Sequence, residues 1–318
     1  MNKFLIITGF LVLMVIVSGC INNKSENQTK HYELKDISFD YPASWNISDK
    51  DNSSVTFSKD SSRITVIEHE KPPNYSLKNS LELNSPDNKN FQLISTNNIT
   101  VNGLEAYENN YRIGDSQKQR IEVWFEKNNK IYSVIYSFSA DEESKKSSFF
   151  GLNFNLANSK SDLNQIINSI QIKNDTQASD QSEPWGEIIM PSINADWWIN
   201  SKSVNTASSV YHLPNSYFPG EKGQMALMGH HTQHSAPFLY INNLKPGDKV
   251  IIKDFLTQKK YTYEVVSNGD VRWGVKAKNI DYKATEEPEL LLITCYPPGF
   301  MQAAWIVHTK LDSIEPLD

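Results

Sequence analysis

A chain of 318 residues, 39% of them hydrophobic and 21% charged, has room for two packed domains, and after an N-terminal apolar run it offers no second stretch that would span a bilayer. Its formal net charge of -6 argues against a nucleic-acid partner. Of its two cysteines, Cys20 ends the apolar leader, so Cys295 has no partner left within the chain.

Residues 1–20, MNKFLIITGFLVLMVIVSGC, read as a secretory signal: a short polar start with Lys3, an apolar run over residues 4–17, then small residues before a cysteine. The ending Val17-Ser18-Gly19-Cys20 resembles a lipobox, which implies cleavage before Cys20 and two acyl chains on its thiol, enough for stable anchoring. The alternative is an uncleaved signal anchor, since residues 4–21 are just long enough to span a membrane. Either route leaves the chain extracytoplasmic, anchored to the outer face of the cell membrane. Residues 21–32 follow as a polar tether too poor in apolar side chains to fold.

Residues 33–173 carry β-hairpin patterns. Residues 54–70, SVTFSKDSSRITVIEHE, alternate around a polar turn, and residues 121–139, IEVWFEKNNKIYSVIYSFS, do so around Asn128-Asn129. In SDLNQIINSI, Ser161 reads as a helix N-cap, and Leu163, Ile166, Ile167 and Ile170 share one helical face. The opening ISFDYPASWNI, the hairpins and the closing helix resemble the PsbP and Mog1 type of α/β sandwich, an α+β fold. No paired carboxylates, glycine-rich phosphate loop or metal cluster stands out here, which leaves a binding or spacing role. Asn-x-Ser/Thr sequons occur at Asn23, Asn27, Asn46, Asn52, Asn74, Asn98 and Asn174 and nowhere later. They are glycan acceptors in a host with the machinery, or equally the by-product of an Asn- and Ser-rich composition.

Residues 174–184, NDTQASDQSEP, read as a linker, and from residue 185 short β runs alternate with turns: GEIIMP, GQMALMGHH, KVIIKDF, KKYTYEVV, ELLLIT and AAWIVHTKL. Regular short strands suggest an all-β barrel or sandwich. Trp197 and Trp198 are adjacent, so a strand points them to opposite sides. In LLLITCYPPGF, residues 290–300, an apolar strand ends on Thr294 and Cys295 before a Pro-Pro-Gly turn. A buried free thiol often only fills space. A single thiol at a strand end in a chain with a histidine-rich loop is also a pattern for nucleophilic catalysis. That loop, MALMGHHTQHSAPF, holds His230, His231 and His234. A zinc site built from those imidazoles is the competing chemistry, although no Glu or Cys joins them there.

Residues 185–318 resemble the sortases, membrane-associated cysteine transpeptidases of cell surfaces. The matching pieces run in family order: Gly186 to Pro191, Pro219-Gly220-Glu221 with Gly223, Gly229-His230, Phe238, the LKPGD turn at residues 244–248, Leu292-Ile293-Thr294-Cys295, and WIVHTKL. The Cys-Tyr-Pro that follows resembles class D or E members. The resemblance implies an eight-stranded barrel with Cys295 at the end of the seventh strand and His230 after the fourth. It also implies a reaction without cofactor or metal. Cys295 attacks a C-terminal sorting motif of a surface protein, His230 protonates the leaving amine, and the resulting thioester passes to an amine on the cell wall or a pilin, or to water. An unperturbed thiol is only a few per cent ionised at neutral pH, so a charged His230 would assist.

One family feature is missing. The arginine expected on the last strand aligns with Ala304, and Arg272 is the sole arginine from residue 185 onward. Its expected substitutes are Arg272, read as lying in the loop between the sixth and seventh strands, Gln302, and His308 on the Ala304 face, with Thr294 as further support. The loss keeps open a degenerate sortase-fold surface lipoprotein that binds a peptide or partner protein without turnover. Metal-dependent hydrolysis through the histidine cluster is the third reading.

Overall fold

The computed structural model describes residues 28–83, 91–114, 118–139, 155–173 and 183–317. The signal and lipobox reading, Cys20 included, most of the tether reading and most of the linker reading lie outside these residues; the tether reading is corrected at its end, where residues 29–32 form most of a strand paired with residues 39–42. Among the described residues no helix is long and apolar enough to cross a membrane.

The N-terminal half begins with β1 (Thr29–Glu33), β2 (Ile37–Pro42), β3 (Asn46–Lys50), β4 (Ser54–Lys59) and β5 (Ser62–Glu70), then α1 (Leu77–Leu83). It continues with β6 (Phe91–Val101), β7 (Leu104–Ile113), β8 (Lys118–Lys127), β9 (Lys130–Ser139), α2 (Asn155–Ser169) and β10 (Gln171–Ile172). Among the described residues, seven strands form one antiparallel sheet in the order β3-β4-β5-β9-β8-β7-β6, and β1-β2-β10 form a small second sheet. The hairpin at Asn128-Asn129 turns where the sequence placed it. Both residues have positive φ, 54° and 60°, the geometry that matches a two-residue turn to the twist of its strands and that Asn tolerates.

The α2 helix starts six residues before Ser161, so that serine is interior and not an N-cap. On both sides of Ser161 the helix is tied down, by Lys160 Nζ donating to Glu108 Oε1 of β7 at 2.8 Å and by Asp162 Oδ2 accepting from Trp45 Nε1, just before β3, at 2.8 Å. The expected apolar face is buried, with Leu163, Ile166 and Ile170 at 0–1% exposure against Phe39, Val66 and Val123.

From residue 186 the strands are β11 (Gly186–Met190), β12 (Ala195–Asn200), β13 (Ser209–His212), β14 (Gln224–Met228), β15 (Lys249–Asp254), β16 (Lys259–Trp273), β17 (Glu289–Tyr296) and β18 (Ala303–Pro316). They close into a barrel in the order β11-β12-β13-β14-β17-β18-β16-β15. Alternation decides the two sides of each strand. Leu290 and Leu292 of β17 face the barrel interior with Leu227 and Val307, while Leu291 and Ile293 face outward onto a second apolar cluster with Ala304, Ile306 and Tyr282. Trp197 packs on the core and Trp198 is exposed, as their adjacency requires.

The two halves share one core. On β8 six consecutive residues from Arg120 to Phe125 are buried. Ile121, Val123 and Phe125 face α2, whereas Trp124 joins Trp185, Leu256 and Tyr261 of the barrel side. Charge is carried into this junction only with partners. The Arg120 guanidinium pairs with Glu122 (Nε–Oε1 2.8 Å) and donates to the Gln258 and Leu317 carbonyls, and Lys259 Nζ donates to the Tyr111 hydroxyl at 3.3 Å.

Candidate active site

The site grows from the parallel pairing of β14 with β17, in which Met228 stands opposite Ile293. The ladder continues past the end of β14, because Gly229 N donates to Ile293 O at 3.1 Å. The residue must be glycine: a Cβ there would lie 2.7 Å from the Phe238 ring. Two more ties hold the strand ends together. Thr294 Oγ1 donates to Gly229 O at 2.8 Å, and His231 Nδ1 donates to Cys295 O at 3.0 Å. His230 follows Gly229 directly, so its backbone leaves from the strand end that these bonds tie to the Cys295 end of β17.

Cys295 points outward, on the Ile293 side of β17, and is half-buried. It lies on the wall of a cavity of about 420 Å³ whose apolar lining includes Leu213, Met228, Ile293, Tyr282 and Ala304. Burial pushes its thiol above the ordinary range. His230 Nε2 donates to Asn205 Oδ1 at 2.8 Å, and its ring lies tilted against that of His234 with centroids 4.6 Å apart. Burial of the ring, and then repulsion from His234, lower the His230 pKa. The Asn205 bond selects one tautomer, with Nε2 protonated and Nδ1 the basic nitrogen. The three imidazoles do not converge: His231 is committed to a backbone carbonyl, and among the described residues no three His, Cys, Asp or Glu side chains are grouped to hold a metal ion.

The oxyanion candidates separate. The Thr294 side chain is 2% exposed with its hydroxyl committed to Gly229, so it braces the backbone. Gln302 lies outside β18, exposed, and does not line the cavity. His308 shares the outward face of Ala304, but four residues, about 13 Å, along the strand, and its Nε2 bonds Asp270 Oδ2 at 3.0 Å. Arg272 is different, and its expected place is corrected: it is on strand β16, not in a loop. Ala304 of β18 pairs with Cys295 on one side and with Arg272 on the other. Cys295, Ala304 and Arg272 therefore form one cross-strand row on one face of the sheet, its ends about 10 Å apart. Irregularities in β16 at Val265/Ser267 and Asn268/Asp270, the second at Gly269 with φ 98°, bring Arg272 into this register. In this arrangement Arg272 Nε and Nη2 both reach Asp270 Oδ2, at 3.0 and 2.9 Å. Burial pushes the Asp270 carboxyl up, but hydrogen bonds from Arg272 and His308 outweigh it and hold the group low.

Two polar partners escaped sequence reasoning. Asn205 sits in an irregular loop after β12 with no local signal of its contact to His230. Asp270 was legible only as part of a turn-like Asn-Gly-Asp.

The profile of the family described as Sortase domain matches residues 188–312, and that described as PsbP-like protein matches residues 17–172. The chain is similar to Sortase D of Bacillus subtilis (strain 168), 30% identical over 164 residues that cover 48% of this chain and 73% of that protein. Similar solved structures include sortase E of Streptomyces avermitilis, 22% identical, covering 44% of this chain and 94% of that one with a TM-score of 0.38. Sortase C-3 of Streptococcus pneumoniae is 15% identical, covering 46% and 72%, also with a TM-score of 0.38.

Proposed function

The chain belongs to the sortase family, and on that premise we propose that it acts as an extracytoplasmic cysteine transpeptidase with Cys295 as nucleophile and His230 as general acid and base. The carrying observation is the half-buried, unpaired Cys295 at the end of β17, on the wall of an apolar cavity, with Gly229, the residue before His230, bonded to the same strand end. The Cys295 thiolate attacks the carbonyl carbon of a scissile amide, forming a C–S bond and a tetrahedral oxyanion. The C–N bond breaks as imidazolium His230 gives its proton to the leaving amine. An incoming amine then attacks the thioester, His230 takes its proton, and the thiolate is released; water in place of the amine gives hydrolysis. Asn205 holds the imidazole in the tautomer this cycle needs, as the third member of such triads does.

Arg272 supplies the donor that Ala304 lacks. Because the intervening side chain is only a methyl group, the guanidinium swings from Asp270 across Ala304 to the oxyanion above Cys295. The substrates are surface proteins with a C-terminal sorting motif, and the acceptor is an amine of the cell wall or a pilin. The N-terminus holds the enzyme at the outer face of the membrane, through lipid on Cys20 after residues 1–19 are cleaved off or as an uncleaved anchor. Trapping the thioester from a surface-protein extract and sequencing its peptide tests this assignment. Ala304 at the arginine position favours one other reading, a peptide-binding lipoprotein without turnover, which stands if Cys295 resists alkylation across neutral pH while peptide still binds.

The electrostatics set a pH signature. With the thiol raised and the imidazole lowered, the thiolate–imidazolium pair is the minority form at neutral pH. Its population is flat between the two pKa values and falls on either side. Acyl transfer is expected to follow that bell, whereas alkylation by iodoacetamide, which needs only thiolate, rises through the upper limb alone. His234→Asn removes the charge that repels imidazolium at His230 and tolerates the positive φ of that position, 53°. The acid limb is expected to move to higher pH and the plateau to rise several-fold; an unchanged profile would show that His234 does not tune His230.

A further inference from the structure

The connection between β13 and β14, residues 213–223, has two working sides. On one, Leu213, Pro214 and Asn215 form part of the wall of the Cys295 cavity. On the other, it is gripped by the N-terminal half. Asn74 Nδ2 donates to the Pro214 carbonyl at 3.0 Å, so the grip falls on a cavity-lining residue itself. Next along, the Tyr75 and Phe218 rings meet edge to face with centroids 4.9 Å apart, both 3% exposed. Ser80 Oγ then donates to Glu221 Oε1 at 3.5 Å, while Glu221 Oε2 accepts from Phe218 N at 2.8 Å. Within the loop, Ser216 Oγ donates to Leu213 O at 2.7 Å and the His212 ring bonds Tyr217 O at 2.9 Å, so the segment is tied together internally. Asn74 makes its contact from a left-handed backbone, φ 62°, a conformation that asparagine tolerates.

We propose that the N-terminal half is a positioning module for the cysteine site: through Asn74 and Tyr75 it fixes residues 213–223 as the closed wall of the substrate cavity. The proposal rests on the transpeptidase reading of that cavity and gives the N-terminal half a role of its own. Substrate affinity at Cys295 is then set by a segment outside the barrel. A partner that displaces residues 74–80 would open the wall without touching the thiol or the imidazole.

The test uses the full chain with Asn74→Asp, which keeps the shape and the left-handed tolerance but replaces the donor with an oxygen facing the Pro214 carbonyl. Three readouts are compared: hydrogen exchange of peptides spanning 213–223, alkylation of Cys295 by iodoacetamide, and saturable labelling by a leucyl vinyl sulfone that must enter the cavity. Losing this one hydrogen bond is expected to raise exchange in 213–223 and the vinyl sulfone KI roughly fivefold. The limiting labelling rate, the iodoacetamide rate and protection of β17 are expected to stay at wild-type values. Tyr75→Leu, which keeps apolar bulk but loses the edge-on contact, should shift the same two quantities in the same direction. Unchanged exchange and KI in Asn74→Asp overturn the proposal. A parallel loss of the iodoacetamide rate and β17 protection also overturns it, because that pattern is general damage. If Cys295 labels but no peptide thioester ever forms, the transpeptidase reading fails, while the exchange and KI comparison still decides the positioning role.

Discussion

Cys295→Ala is expected to abolish thioester formation, a loss of about 10⁴-fold or more in acyl transfer, with little change in thermal unfolding. The stability half follows from position. Cys295 makes no disulfide, is only half-buried, and pairs across β18 with Ala304, so alanine fits the row without opening a cavity in the barrel core. The activity half follows from chemistry, because the sulfur is the atom that bonds the acyl group. Cys295→Ser is expected to fail nearly as completely, since a hydroxyl ionises far less than a thiol and His230, with its lowered pKa, is a weak base for it. His230→Ala separates the two roles: turnover should drop roughly 10²- to 10⁴-fold, while alkylation of Cys295 at high pH persists. A covalent acyl-enzyme detected by intact-protein mass spectrometry in Cys295→Ala would end the nucleophile assignment.

Arg272→Ala is expected to lower kcat/KM roughly 10²- to 10³-fold, the usual cost of removing one preorganised oxyanion donor. Arg272→Lys should recover only part of this, because a point charge cannot span Ala304 with the same planar geometry. The register supplies a sharper test. Since Ala304 stands between Cys295 and Arg272, Ala304→Arg in the Arg272→Ala background returns a guanidinium to the strand next to the thiol and should restore most of the lost rate. Asp270→Asn weakens the hold on Arg272 and should raise activity or leave it unchanged, never lower it as Arg272→Ala does. If Arg272→Ala turns over at the wild-type rate, the guanidinium acts only as the partner of Asp270.

Much of the site was legible locally because its signals are local. The apolar run ending in Thr294 and Cys295, the glycine before His230 and the asparagine turn of the β8–β9 hairpin each follow from a few neighbouring residues. The helix around Ile166 was legible for its apolar face but not for its ties, because those of Lys160 and Asp162 come from Glu108 and Trp45, distant in sequence. Arg272 was misread as a loop residue for a similar reason. Val266 and Gly269 interrupt the alternation that marks a strand, and only pairing with β18 shows that the strand runs on to Trp273.

By itself, then, the sequence determined which residues carry reactive groups, where strands alternate and turn, and that a barrel follows an α+β half. Tertiary structure alone decided which of those groups meet: the row from Cys295 through Ala304 to Arg272, the Asn205 contact to His230, and the shared core that sets Asn74 against the cavity wall. The division is physical. Alternation and turn chemistry depend on steric preferences within a few bonds, whereas register, bulges and domain contacts are settled by hydrogen bonding and burial summed over strands far apart in the chain.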